Sequence, residues 1–267
     1  RKGSTQLGWQ EMDRPLPDGN WPLISASAIP YFAGVSQIPR AMTEEDFARI
    51  TAEYVRATRF GAACGFDMLE LHMAHGYLLA SFLSPLTNQR RDEYGGPVEN
   101  RLRYPLEVLR AVRAAWPAQR PLSVRISAHD WAPGGLDEAD LLAIAAAFKN
   151  AGAALLSIST GQTVPDQQPL YGRMWQTPFA DMIRNVVGIP TIAVGNIFEP
   201  DHVNTIVGAG RADLCAIARP HLADPAWTLH AAASQHYSPQ WWPDPYLAGK
   251  SQLERNLERA ALAQGPV

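Results

Sequence analysis

Cysteine is almost absent from this chain of 267 residues: there are two, Cys64 and Cys215. They lie far apart in apolar surroundings. That reads as two buried free thiols of a reducing compartment, not as a disulfide or a metal pair. Long apolar runs are missing as well. No segment reaches the roughly 20 residues that a membrane-spanning helix needs, and the N-terminus lacks a signal-peptide pattern. Positive charge is not in excess. The net charge is −3 with 18% charged residues and no basic stripe, so nucleic acid is not expected as a partner. What is present, 46% hydrophobic residues in a chain of this length, suits one large α/β domain of a cytoplasmic enzyme.

Residues 1–42 are rich in Pro, Gly, Ser and Trp and read as a long excursion, with a short hairpin near Trp21–Ala26. Thr43 then caps a helix whose first turn is acidic and whose apolar face carries Phe47, Ile50, Tyr54 and Val55; Gly65 ends that unit. From there strands and helices alternate. The strand candidates are Phe66–His72, Leu122–Ala128, Ala154–Thr160, Thr191–Asn196 and Leu214–Arg219, short apolar runs of the kind expected when parallel strands are buried on both faces. Helices are expected over Asn100–Trp116, with Pro105 near the first turn or a kink, over Asp137–Ala151 stopped by Gly152, over Pro178–Val187, and over Pro200–Ala209 closed by Gly210. Repeated βα units mean a parallel sheet with right-handed crossovers across residues 43–235. Residues 236–267 read as an aromatic, proline-rich tail expected to dock on the preceding domain or a neighbouring subunit. In it Ser251–Glu254 has the pattern of a capping box opening a last helix.

The chemistry concentrates where the first strand of this series ends. His72, His75 and Tyr77 follow one another there, suited to holding a carbonyl oxygen and delivering a proton. Two histidines at this spacing also suit zinc, although neither cysteine is placed to be a third ligand. Tyr77 alone would pass for a packed aromatic. Arg125 sits inside an apolar strand, and a charge there is costly unless paired, which marks it for a site or for an internal ion pair.

The run from His72 through Gly76 and Tyr77, continued by Phe82-Leu83-Ser84-Pro85-Leu86-Thr87-Asn88-Gln89-Arg90-Arg91-Asp92-Glu93-Tyr94-Gly95-Gly96, resembles the signature of the Old Yellow Enzyme family of FMN-dependent reductases. The resemblance implies a TIM (β/α)8 barrel of which this chain supplies about the last five βα units, with Arg1-Lys2 as the tail of a motif ending the third strand. More chain is then expected before Arg1, because a barrel lacking three strands exposes long sheet edges. It implies FMN as cofactor and NADH or NADPH as reductant. His72 and His75 would hold the substrate oxygen, and Tyr77 would protonate the carbon alpha to the carbonyl. Arg125 would lie against the flavin's pyrimidine edge. Gly195-Asn196 and Ala218-Arg219 would lie in the phosphate-binding loops, with Ala218 standing where relatives often have Gly. The Arg90–Arg101 stretch is diagnostic, and a structural role is expected for it.

A narrower likeness runs through Tyr171–Met174, Gln176–Ala180, Ala216–Pro225 and Gln240–Pro243, which resemble the reductase half of bifunctional aromatic acyl-CoA monooxygenase/reductases of the anthraniloyl-CoA and salicylyl-CoA type. It implies an aryl-CoA thioester substrate and a fused FAD monooxygenase upstream; a homo-oligomer is also expected. Two other classes remain open: a metal-dependent TIM-barrel hydrolase using His72 and His75, and a barrel kept as a docking module with little catalysis of its own.

Overall fold

The computed structural model describes residues 13–264, which divide into two units. The first holds residues up to Ile197 together with Val203–Ala216. The second holds Phe198–His202 and the chain from Ile217 onward.

The elements, in chain order, are strands β1 (Ile24–Ser25) and β2 (Arg40–Ala41), helix α1 (Glu44–Ala63), strand β3 (Leu69–Met73), helices α2 (Ala80–Leu83), α3 (Val98–Arg101) and α4 (Arg103–Ala115), and strand β4 (Leu122–Ser127). Then come α5 (Glu138–Asn150), β5 (Leu155–Ser159), α6 (Thr177–Met182) continuing into a π-helical turn at Ile183–Val187, β6 (Thr191–Val194), α7 (Pro200–Gly208) and β7 (Leu214–Ala216). The second unit carries α8 (Arg219–Ala223), α9 (Trp227–Ser234), a 3-10 turn at Asp244–Tyr246 and α10 (Leu247–Gln264). Strands β3 to β7 form one parallel sheet in sequential order, each joined to the next through helix, which is the βα repeat expected.

Helix boundaries follow the capping chemistry. The Thr43 hydroxyl accepts from the Asp46 backbone N–H, and the Asp46 carboxylate accepts from the Thr43 N–H, so α1 starts with two of its orphan donors satisfied. Asp137 caps α5 by accepting from the Asp140 N–H at 2.8 Å, and Gly152, at φ +99°, takes the left-handed turn that follows it. Pro105 falls in the first turn of α4, where its missing N–H costs nothing.

Three expectations are corrected. The segment near Trp21–Ala26 forms no hairpin: β1 runs parallel to β2, because residues 26–39 carry the chain back before it pairs. Ser251 does not open the last helix, which already runs from Leu247, so Ser251–Glu254 is helix interior. Cys64 is exposed, since it caps the solvent end of α1, and Cys215 is only half-buried, its thiol pushed up to about 11 by burial. Among the described residues no helix is long and apolar enough to cross a membrane.

Alternation of side chains splits the sheet into unlike faces. Leu71, Met73, Val124, Ile126, Leu156 and Ile158 occupy one face and are almost wholly buried. The other carries Glu70 and His72 on β3, Ser123, Arg125 and Ser127 on β4, and Ser157 and Ser159 on β5, aligned by the strand register. Strands β3 and β4 are thus apolar on one side and polar on the other, Leu155 and Ile192 interrupt the polar side on β5 and β6, and that side is where the chemistry gathers.

The Arg90–Arg101 run has a structural role, tying neighbouring segments together. Arg90 donates to the carbonyls of Ala26 and Met42 and pairs with Asp92 at 2.5 Å. Gly95 is glycine because a Cβ would stand 2.2 Å from the Arg90 carbonyl oxygen. Arg101, 4% exposed, donates to the carbonyls of Gly96 and Leu83 and to the Asp140 carboxylate at 2.6 Å, tying α3 to α5. Removing one partner of a buried pair strands the other. Arg101→Met should therefore lower the unfolding free energy by about 3 kcal/mol in urea titrations. A loss below about 1 kcal/mol would class it with surface pairs.

Candidate active site

The polypeptide turns sharply where β3 ends. His75 has φ +60° and Gly76 φ +67°, two left-handed residues in succession. At Gly76 a Cβ would meet the Gln162 carbonyl at 2.9 Å, so the turn needs glycine. The strained conformation at His75 is fixed from outside: its N–H donates to the Ser127 hydroxyl at 2.9 Å, and that hydroxyl donates to the Gly161 carbonyl at 3.0 Å. The Tyr77 N–H closes the turn onto the Ala74 carbonyl at 3.2 Å.

This turn gathers the three residues the sequence singled out. The His72 ring packs edge-on against His75 at 5.1 Å and against Tyr77 at 5.0 Å between centroids. The Ala74 N–H donates to His72 Nδ1 at 3.2 Å, so a neutral His72 carries its proton on Nε2. Its pKa lies below the ordinary histidine value, first because neighbouring walls desolvate the ring and second because Arg125 is near. Although one edge of the ring reaches solvent, both causes favour the neutral, Nε2–H donor form.

Arg125 stands opposite His72 in the β3–β4 register. Its Nε is buried and has no hydrogen-bond partner among the described residues. A guanidinium N–H left unsatisfied in a polar site calls for an acceptor supplied from elsewhere. The electron-rich pyrimidine edge of a flavin is an acceptor of that kind, so the residues present fit FMN.

The remaining cofactor candidates are placed separately. Gly195, at φ +107°, and Asn196, at φ +55°, follow β6, and the Asn196 amide donates to the Gly172 carbonyl at 2.8 Å. The space a Gly195 Cβ would take is filled by the carboxamide of Gln176. Ala218 and Arg219 belong to the second unit, where Ala218 precedes α8 and Arg219 is its first residue instead of the end of a strand.

Sequence reasoning passed over the polar groups behind the histidines: Ser127, Ser159, Thr160 and Gln176. The serines had a signal, since they share the two-residue period of Arg125 along β4 and the matching face of β5. Gln176 stood out only as the first residue of a stretch in the narrower likeness, with no role attached, because the loop after β5 brings it in. His129 was also missed. Its Nδ1 accepts from the Trp131 N–H at 3.0 Å, the same local arrangement as His72 with Ala74, and Trp131, Trp175 and Tyr171 continue an aromatic series from it. Among the described residues no three His, Cys, Asp or Glu side chains gather as metal ligands.

Comparison with known proteins gives a consistent picture. The family model described as NADH:flavin oxidoreductase / NADH oxidase matches residues 20–237. The NADPH dehydrogenase of Geobacillus thermodenitrificans is 42% identical over 210 residues, covering 79% of this chain and 61% of that protein. The NADPH dehydrogenase of Listeria innocua is 38% identical over 227 residues, 82% of this chain and 66% of that protein. The chain thus spans roughly 60–66% of the length of such curated relatives. A solved 2-naphthoyl-CoA reductase in complex with 2-naphthoyl-CoA superposes with a TM-score of 0.71 at 27% identity, over 76% of this chain and 32% of that one. A morphinone reductase complexed with tetrahydroNAD gives 0.63 at 27% identity, over 81% and 61%.

Proposed function

From the premise that the chain belongs to the NADH:flavin oxidoreductase / NADH oxidase family, we propose that it forms the substrate-binding side of an FMN-dependent NAD(P)H oxidoreductase of the ene-reductase type. The observation that carries this is the convergence at the end of β3: two histidines and a tyrosine in ring contact, opposite an arginine whose Nε has no acceptor among the described residues.

In this reading FMN, once reduced by NAD(P)H, supplies hydride to the β-carbon of an alkene conjugated to a carbonyl. The chain's own groups do the rest. His72 donates Nε2–H to the substrate oxygen, with His75 packed against it, and so stabilises the charge that collects there as hydride arrives. Tyr77 gives its phenolic proton to the alpha carbon. Arg125 stabilises negative charge at the pyrimidine edge of the cofactor. Gly195 and Asn196 are proposed as cofactor-binding residues of the first unit, and Ala218 and Arg219 as cofactor-binding residues of the second, where Arg219 supplies a cation suited to a phosphate.

The curated relatives named as NADPH dehydrogenases favour NADPH as reductant. The motif likeness, the naphthoyl-CoA-binding neighbour and the aromatic series from Trp131 to Tyr171 support an aryl-CoA thioester as substrate. The same motif likeness supports a fused FAD monooxygenase as partner.

The test is a visible spectrum of the purified protein before and after anaerobic NADPH. A flavin spectrum that bleaches, and that gains a long-wavelength band with added phenol, is the expected result. In a His72→Ala, His75→Ala double variant the phenol band should vanish while the flavin still bleaches. A protein that stays colourless with added FMN overturns the proposal.

A further inference from the structure

Behind His75 lies a chain of buried polar groups that the proposed reaction leaves unexplained. His75 Nε2 is 2.7 Å from the Ser159 hydroxyl. That hydroxyl donates to Gln176 Oε1 at 3.2 Å, and the Thr160 hydroxyl donates to the same oxygen at 2.8 Å. The Gln176 Nε2 donates in turn to the Val194 carbonyl at 3.1 Å. Ser159, Thr160 and Gln176 are at most 5% exposed. The series therefore crosses from the end of β3, over the end of β5, to the end of β6.

Its direction follows from counting hydrogens. The Val194 carbonyl can only accept, so the Gln176 amide presents NH2 to it and turns Oε1 toward the two hydroxyls. With the Ser159 hydrogen committed to Oε1, the lone pairs of Ser159 Oγ face His75. A neutral His75 then keeps its single proton on Nε2. Buried polar groups of this kind are stable only as a completed set, and here completion requires that nothing but hydrogen stands at Cα of residue 195. A Cβ there would lie 2.1 Å from Gln176 Nε2.

We propose that Ser159 and Gln176 are positioning residues that fix the tautomer and aim of the His75 imidazole, and that Gly195 is glycine to admit the Gln176 amide. The inference rests on the reading of His75 as part of the substrate-oxygen site and says which of its ring nitrogens carries the proton there. It also joins two parts of the sequence signature, the histidine pair after β3 and the glycine after β6, through a residue from neither.

His75 packs against the titratable His72, which in turn meets Tyr77, and Arg125 on β4 stands opposite His72. From β5 and the loop behind it come the neutral Ser159, Thr160 and Gln176. A change at Ser159 therefore alters hydrogen bonding to His75 without altering charge.

The experiment compares wild type, Ser159→Ala, Ser159→Thr and Gly195→Ala in the FMN-loaded protein. The readouts are nitrogen-15 spectra of the histidine side chains and titration with phenol. In wild type, His75 Nε2 should show the signature of a protonated nitrogen. In Ser159→Ala that signature should move or split between tautomers, His72 should not change, and the phenol dissociation constant should rise about five- to tenfold, the scale of one net hydrogen bond. The threonine variant should restore both readouts. Gly195→Ala, with Ser159 intact, should reproduce the His75 change by displacing Gln176. An unaltered His75 spectrum in Ser159→Ala overturns the proposal, as does an altered spectrum with unchanged phenol affinity. A protein that takes up no FMN would defeat the functional reading instead, and the nitrogen spectra would still decide the relay.

Discussion

Tyr77→Phe should lower the rate at which an enone or enoyl thioester is reduced by roughly 100- to 10,000-fold, the range for losing a placed general acid. The reduction of flavin by NADPH should be unchanged. The substitution keeps the ring and removes only the hydroxyl, so the packing of this residue against His72 at 5.0 Å and the turn closed by its N–H are preserved. What disappears is the proton source beside the histidine pair of the substrate-oxygen site. The two half-reactions separate the effects: stopped-flow reduction by NADPH reads the first, and reoxidation by the alkene reads the second. Equal slowing of both would mean that the hydroxyl shapes the pocket. No change in either would favour a barrel retained for docking, with turnover elsewhere, or a proton taken from another group.

How much of this was readable beforehand depended on whether the signal was local. The starts of α1 and α5 were legible because Thr43 and Asp137 do their capping within one turn. The five strand positions were legible from apolar runs between Gly and Pro, and the motif at His72–Tyr77 named its own strand end. Features set by distant chain were not. The pairing of β1 with β2 depends on the path of residues 26–39, so nearby residues suggested a hairpin where a parallel bridge forms. Ser251–Glu254 has a capping pattern, but the helix begins earlier, at Leu247, and local pattern yields to that context. Arg125 was legible because a charge in an apolar strand is costly. Gln176 was not, because glutamine in a loop is ordinary until Ser159, Thr160 and Val194 close around it. The missing Cβ of Gly195 was visible in the sequence, while the amide that requires its absence was not.

Arg125→Ala should slow the reduction of bound FMN by about 100- to 1,000-fold, the cost of removing one donor aimed at developing charge. It should not destabilise the fold. The Nε of Arg125 is buried without a partner among the described residues, and an unsatisfied buried donor costs about 1–3 kcal/mol. Removing it relieves that cost, so the protein without flavin should melt no earlier than wild type. A site that spends stability on an unpartnered donor is organised for something that arrives later. The same variant has a second consequence at His72, whose lowered pKa comes mainly from desolvation and secondly from Arg125. A lowered value means the folded site disfavours the imidazolium, so the stabilising neutral form is present above the ordinary histidine range and its contribution is lost as pH falls below it. Taking away the cation makes protonation easier. His72 should then titrate at higher pH than in wild type, yet still below the ordinary value, because the larger cause remains. Side-chain NMR titration of His72, differential scanning calorimetry without flavin and stopped-flow reduction read the three effects on one variant. Reduction at the wild-type rate with His72 titrating as before would remove Arg125 from the cofactor edge. A melting temperature that falls together with the reduction rate would instead make Arg125 part of an ion pair that holds the sheet, its effect on the flavin being indirect.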